Sequence, residues 1–174
     1  ARTPAVPASA PSNSEELKKR TRVIIRKLKK TYPGAKCSLN HSTPFELLVA
    51  TILSAQCTDK RVNEVTPVLF ARYRSAADYA AADRAQVEDI IRSTGFFRAK
   101  SRSLIGFAKG LVETHGGEVP RTMAELVPLP GIGRKTANVV LGHAYDVNEG
   151  VAVDTHVRRV ANRLGLVKVD EPEK

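Results

Sequence analysis

Apolar residues recur along this chain at intervals of three and four, and no stretch alternates apolar with polar positions convincingly enough to read as a strand. The spacing predicts an all-α fold built from many short helices. Leu17, Ile24, Ile25 and Leu28 form the stripe of a first helix that opens after Ser14 on Glu15 and Glu16 and closes on Lys27, Lys29 and Lys30. Acids first and bases last suit the helix dipole. Thr43-Pro44-Phe45-Glu46 is a capping box with proline at the first helical position, and the apolar helix it opens is expected to reach about Ser54. Asp59 is expected to cap the next helix and Pro67 to kink it or end it early. Ser75-Ala76-Ala77-Asp78 and Asp83-Arg84-Ala85-Gln86 mark two further starts, the second helix stopping near Gly95. Residues 98–114 place Leu104, Ile105, Phe107, Ala108 and Leu111 on one face, up to Gly116-Gly117. Thr122-Met123-Ala124-Glu125 is another capping box, and helices over about 134–144 and 155–164 follow, the last closed by Gly165.

Composition adds a partner class to that pattern. With 174 residues, 42% of them hydrophobic, the chain can bury a core, mostly aliphatic because aromatics are 5% and Trp is absent. Residues 1–14 are Pro, Ala and Ser with almost no large apolar side chain, and are expected to be a disordered tail. The net charge of +10, spread over helices and not confined to one tail, points to an acidic partner such as nucleic acid, although a merely basic surface would give the same sum. No stretch approaches a membrane span and no secretory signal is evident, so an intracellular protein is expected, with no membrane partner. Two cysteines, Cys37 and Cys57, cannot form an all-cysteine zinc site or iron–sulfur site, and fit a reducing compartment. His143 and His156 lie too far apart in sequence, without convergent partners, to suggest a metal.

The most distinctive segment is Leu129-Pro130-Gly131-Ile132-Gly133-Arg134-Lys135-Thr136-Ala137-Asn138-Val139-Val140. Gly131 and Gly133 allow a tight turn and close backbone approach, and the helix that starts at once turns its free N–H groups outward, which suits a phosphate. Arg134 adds charge, and Ile132 can pack on a sugar or hold the turn. Such contacts position a duplex without reading its sequence. The spacing is not that of a Walker loop. By residue type alone, Lys135 could be a phosphate contact and Asp154, just before a helix, a simple N-cap.

LPGIGRKTANVVL resembles the helix-hairpin-helix of the endonuclease III family. VAVDTH at Val151 to His156 resembles that family's loop-and-aspartate segment, and LLVATILSAQCTD at Leu47 to Asp59 its DNA-facing second signature. The similarity spans roughly residues 40–166, in order. It implies the helix-hairpin-helix DNA glycosylase fold: a central helical domain over 37–148 and a second, discontinuous domain made from the helix of 15–36 and the start of a C-terminal part at 149–174. It also implies a base-excision DNA glycosylase with abasic-site lyase activity, a partner in double-stranded DNA carrying damaged bases or abasic sites, a monomer, and a place with the DNA (the cytoplasm or nucleoid in a bacterium).

By the same resemblance Lys135 falls on the lyase lysine and Asp154 on the catalytic aspartate, a carboxylate that stabilises a sugar cation or handles the lysine proton. Lysine at this position argues against the adenine-removing branch, which lacks it. Gln56 matches the residue that enters the duplex, and Phe96 falls where the family puts an apolar wedge. Ser54, Asp59, Gly131, Ile132, Gly133, Arg134 and Thr136 complete the expected DNA contacts. Lys100, Arg98 and Arg102 are read as part of a basic face or as a solvated helix side.

Relatives continue about 40–50 residues further, with a four-cysteine [4Fe–4S] loop to which Cys37 and Cys57 do not correspond. No cofactor is therefore expected in this chain, and a cluster only in a longer form. The shorter length is read as a fragment, with truncation or a completing second chain as alternatives. The SAQCTD segment favours oxidised pyrimidines. The alternatives are an oxidised-purine or mismatch glycosylase of the same superfamily, or a non-catalytic DNA-binding fragment.

Overall fold

The computed structural model of the chain describes residues 13–167. Among them all regular structure is helical, as the periodicity predicts. The α-helices are α1 (Asn13–Thr31), α2 (Pro44–Leu53), α3 (Asp59–Arg72), α4 (Ala76–Ala80), α5 (Arg84–Ile91), α6 (Phe97–His115), α7 (Met123–Leu126), α8 (Arg134–Ala144) and α9 (Thr155–Arg163), with a 3-10 turn at Arg92–Thr94. The expected tail lies outside the described residues as far as residue 12, and Ser14 is inside α1, not before it.

Two compact units form: Cys37–Asp154, and a discontinuous one joining Ala1–Lys36 to Thr155–Lys174, of which 13–36 and 155–167 are described. This division groups Asp154 with Lys135, whereas the sequence reading ended the central segment at 148. Every buried hydrophobic residue described lies in the Cys37–Asp154 unit. In the other unit Leu17, Ile25 and Leu28 of α1 are exposed, and α9 has no buried residue.

The centre of the larger unit is α2. Leu47, Leu48, Val49, Ala50, Ile52 and Leu53 are all buried, so the helix is apolar nearly all round, as a helix packed on several sides must be. It packs against α3, α6 and α8. Its start keeps half of the predicted capping box: Thr43 Oγ1 accepts from the Glu46 amide at 3.1 Å, but Glu46 accepts from the Ser42 amide at 2.6 Å, one residue before the cap. Phe45 stacks edge-on against Tyr79 of α4 at 5.4 Å and packs at 5.7 Å from Phe107 of α6. These contacts join α2, α4 and α6 in one core.

Two expectations about α3 are corrected. Thr58, not Asp59, is its cap, with Oγ1 accepting from the Arg61 amide at 3.3 Å. Pro67 does not end the helix, which continues to Arg72. Pro67 sits on the exposed side, while Val62, Val65, Thr66 and Leu69 bury the other. The carbonyl freed by the missing proline N–H belongs to Asn63, and packing of the buried stripe outweighs the lost bond.

Candidate functional site

The Leu129–Gly133 hairpin is held against α6 by an absence of side chains. A Cβ on Gly110 would stand 2.8 Å from Leu129 Cδ2, and one on Gly106 would stand 3.1 Å from Pro130 Cβ. From the hairpin side, a Cβ on Gly131 would stand 2.6 Å from Ser103 Cβ, and Gly131 has φ +79°. Ser103, Gly106 and Gly110 thus form a shallow face on α6 that fits this turn alone. In sequence such a face is marked only by small residues at helical spacing, 103, 106 and 110.

Ile132 requires a correction. Its side chain is 4% exposed, within the core, so it anchors the turn and does not offer a surface to DNA. Its amide donates to Leu129 O at 3.0 Å, closing the turn. Gly133 is the residue before α8, and a Cβ there would meet only open space. No side chain caps α8. The first-turn amides of Arg134, Lys135 and Thr136 are thus the unbonded donors of a helix end, with the exposed side chains of Arg134 and Lys135 beside them.

Lys135 Nζ and Asp154 Oδ2 are 3.6 Å apart, with side chains 55% and 40% exposed. The two residues are 19 positions apart in sequence, and the fold brings them together through the return of the chain after α8. Asn138, one turn on from Lys135 and on the same helical face, donates through Nδ2 to Val151 O at 3.3 Å. This bond ties the loop before Asp154 to α8. Asn138 is a positioning residue that the sequence reading passed over.

A separate group of expected residues lines one cleft of about 300 Å³. Gln56 and Phe96 stand on it with Gly131 and Thr136 of the hairpin, and Lys100 and Ser103 of α6 complete the wall. Gln56 (φ 51°) and Phe96 (φ 49°) are both left-handed, a conformation that non-glycine residues adopt at a cost. Phe96 is 65% exposed, the most solvent-facing of the large core-type side chains near this cleft.

Lys100 corrects the expectation of a basic face. It is 4% exposed, and its ammonium donates to Leu53 O and Thr94 O, each at 2.8 Å. Burial pulls its pKa below the ordinary lysine value, with a smaller opposing effect from Cys57. Arg98 and Arg102 remain exposed on α6. Ser54 and Asp59 lie outside the cleft lining: Ser54 ends α2 and bonds to Thr51 O at 2.8 Å, and Asp59 accepts from the Ser38 hydroxyl.

Among the described residues no three His, Cys, Asp or Glu side chains converge as a metal site would require. Cys37 and Cys57 are both free thiols, and two thiols do not fit a four-cysteine cluster. No described helix is long and apolar enough to cross a membrane.

Comparison with known proteins identifies the family. Residues 49–174 match the family described as HhH-GPD superfamily base excision DNA repair protein. Endonuclease III of Synechocystis is 57% identical over 155 residues, which is 89% of this chain and 71% of that protein. Endonuclease III of Bacillus subtilis is 47% identical over 150 residues, 86% of this chain and 68% of that protein. The solved structure of a trapped endonuclease III–DNA covalent intermediate, an estranged-adenine complex, superposes with a TM-score of 0.84 at 47% identity, covering 88% of this chain and 72% of that one. The chain belongs to the HhH-GPD superfamily of base excision DNA repair proteins and, within it, to the endonuclease III family.

Proposed function

We propose that this chain, a base-excision DNA glycosylase and abasic-site lyase by family, removes oxidised pyrimidines from double-stranded DNA and then cleaves the strand through Lys135. The observation that carries the reading is the 3.6 Å approach of Lys135 Nζ to Asp154 Oδ2. An exposed ion pair of this kind contributes only about 0–1 kcal/mol to stability, so the fold gains little from it. A paired amine and carboxylate at the open start of a helix is what lysine nucleophilic chemistry requires.

The steps balance as follows. Asp154 takes a proton from the lysine ammonium, and the free Nζ attacks C1′ of the damaged nucleotide. The C1′–N bond breaks, and the base leaves with its electron pair and takes the proton that Asp154 carries, which restores the carboxylate. Asp154 takes a second proton from Nζ and delivers it to O4′ as the C1′–O4′ bond breaks, and the ring opens to a protonated Schiff base between Nζ and C1′. The C2′ proton then passes to water, the C3′–O bond breaks and the 3′ phosphate leaves with its electron pair, and hydrolysis of the imine frees Lys135 as the amine and the sugar as the aldehyde. Once ionised again, the carboxylate of Asp154 stabilises the positive charge of the protonated Schiff base.

The remaining groups bind and orient. The uncapped amides of Arg134, Lys135 and Thr136, with Gly133 opening on free space and Gly131 seating the turn on α6, suit one backbone phosphate. Gln56 is suited to hydrogen-bond the orphaned base and Phe96 to fill the stack, because both line the 300 Å³ cleft in strained conformations that keep them forward. Ser54 and Asp59 have weaker support, since their polar groups are engaged within the protein. The acting species is proposed as a monomer, located with the DNA. A [4Fe–4S] cluster would belong to a longer form, since two cysteines do not fit it and no step above uses one.

The test is borohydride reduction in the presence of duplex DNA with one abasic site. The wild-type chain is expected to give a covalent band, and Lys135→Gln to give none while keeping DNA affinity. Strand cleavage by Lys135→Gln at the wild-type rate would overturn the assignment.

A further inference from the structure

We propose that Lys100 is a positioning residue that holds Gln56 and Phe96 in register across the cleft they share. The proposal rests on the reading of those two residues as the ones that enter DNA.

Lys100 is 4% exposed, and burying an ammonium is costly unless its donors are satisfied. Its two acceptors are not scattered. Leu53 O belongs to the last residue of α2, three positions before Gln56, and Thr94 O to the last residue of the 3-10 turn, two positions before Phe96. Both are carbonyls at helix ends, where the backbone lacks partners and a cation is favoured. One side chain from α6 therefore ties the roots of two loops, at 2.8 Å to each. Beyond each root the chain enters a left-handed residue, Gln56 at φ 51° and Phe96 at φ 49°. Such conformations persist only where the surroundings over-determine them. Lys100 also lines the cleft that Gln56 and Phe96 share. Among the described residues no glutamate or aspartate pairs with Lys100, and its two hydrogen bonds go to loop-root carbonyls. A group that served the core alone would more simply be a leucine or methionine.

The experiment compares the wild-type chain with Lys100→Met, which keeps the length and loses the donors. Amide hydrogen exchange is read at residues 54–57 and 94–97 and across α2, α3 and α6. Single-turnover base release is read on duplex containing thymine glycol, and borohydride trapping on abasic duplex. Exchange in Lys100→Met is expected to accelerate about tenfold in both loops together and little in the helix centres. Base release is expected to fall about tenfold or more, and trapping at an abasic site by less than about threefold, since an abasic nucleotide leaves no base to unstack. In a Gln56→Ala background, Lys100→Met is expected to cost far less than in wild type, because residues acting as a unit are not additive. A merely structural lysine would give uniform exchange and additive losses, and that result overturns the proposal, as does unchanged exchange in either loop. If Lys100→Met does not fold, Lys100→Gln, which retains one donor group, is read in the same way. If Gln56→Ala and Phe96→Ala both release base as wild type does, the reading of the two residues as inserting fails, and the exchange data still report whether Lys100 ties the loops.

Discussion

Gly131→Ala tests the seating of the hairpin on α6. The new Cβ would stand 2.6 Å from Ser103 Cβ, 2.7 Å from Ser103 Oγ and 3.4 Å from Ser103 Cα. The hydroxyl can rotate away, but Ser103 Cβ is fixed by the α6 backbone, so the hairpin must lift by about 1 Å to reach ordinary contact at ~3.5–4.0 Å. Overpacking of this kind costs about 1–3 kcal/mol. The backbone at φ +79° adds about 1–2 kcal/mol for a residue with a Cβ. The expected loss is about 2–5 kcal/mol in all, or a fall in Tm of roughly 2–4 °C for each kcal/mol in a chain of this size. Urea unfolding and a thermal scan measure it. Ser103→Gly separates the two causes, because it removes the clashing atoms and leaves the φ cost. In that background Gly131→Ala should cost only about 1–2 kcal/mol. Lifting the hairpin also displaces Lys135, and a shift of about 1 Å can lower rates a hundredfold, so trapping should suffer beyond the loss of folded protein. Stability within about 0.5 kcal/mol of wild type, or the same loss with and without Ser103, would refute the reasoning.

Asp154→Asn is expected to lower base release by about 10²–10⁴-fold while duplex affinity changes little. Stability should move by less than about 1 kcal/mol because the pair with Lys135 is exposed, and wild-type turnover would return Asp154 to a structural role. Burial lowers the Lys100 pKa below 10.5, so between the lowered value and 10.5 the unfolded chain holds a proton that the folded chain has released. Stability attributable to Lys100 therefore rises with pH across that window, and the neutral amine keeps N–H donors for both carbonyls. The stability difference between wild type and Lys100→Met, followed from pH 7 toward pH 10, should grow in favour of wild type; a flat or falling difference would contradict the burial argument.

Much of the fold was legible because helix signals are local. Thr43, Ser75, Asp83 and Thr122 all accept from amides within the first turns they open, and Ser75 with Asp78 forms a complete capping box. The starts of α6 and α8 fall within a residue of their expected positions. Where a long-range contact competes with a local rule, the sequence misleads. Pro67 signals an end to α3, but the buried stripe of Val62, Val65, Thr66 and Leu69 carries the helix through. Lys100 has the residue type of a solvated face, yet it joins a carbonyl six residues back in the chain to one 47 residues back. Ile132 offers an apolar side chain between two glycines, and only the packing beneath it decides that it points inward.

The candidate chemistry divides along the same line. The order of residues alone determined that a lysine opens α8 after a glycine hairpin, that an aspartate precedes α9, and that a basic all-helical chain carries them. These are matters of residue type and of spacing within a few turns. Tertiary structure decided that Lys135 and Asp154 meet, that Asn138 ties the returning loop, and that Gln56 and Phe96, 40 positions apart, face one cleft. It decided as well that Ser103, Gly106 and Gly110 form a seat for Leu129, Pro130 and Gly131. Such juxtapositions depend on how helices pack, which is set by the combined fit of many side chains and leaves no periodic trace along the chain.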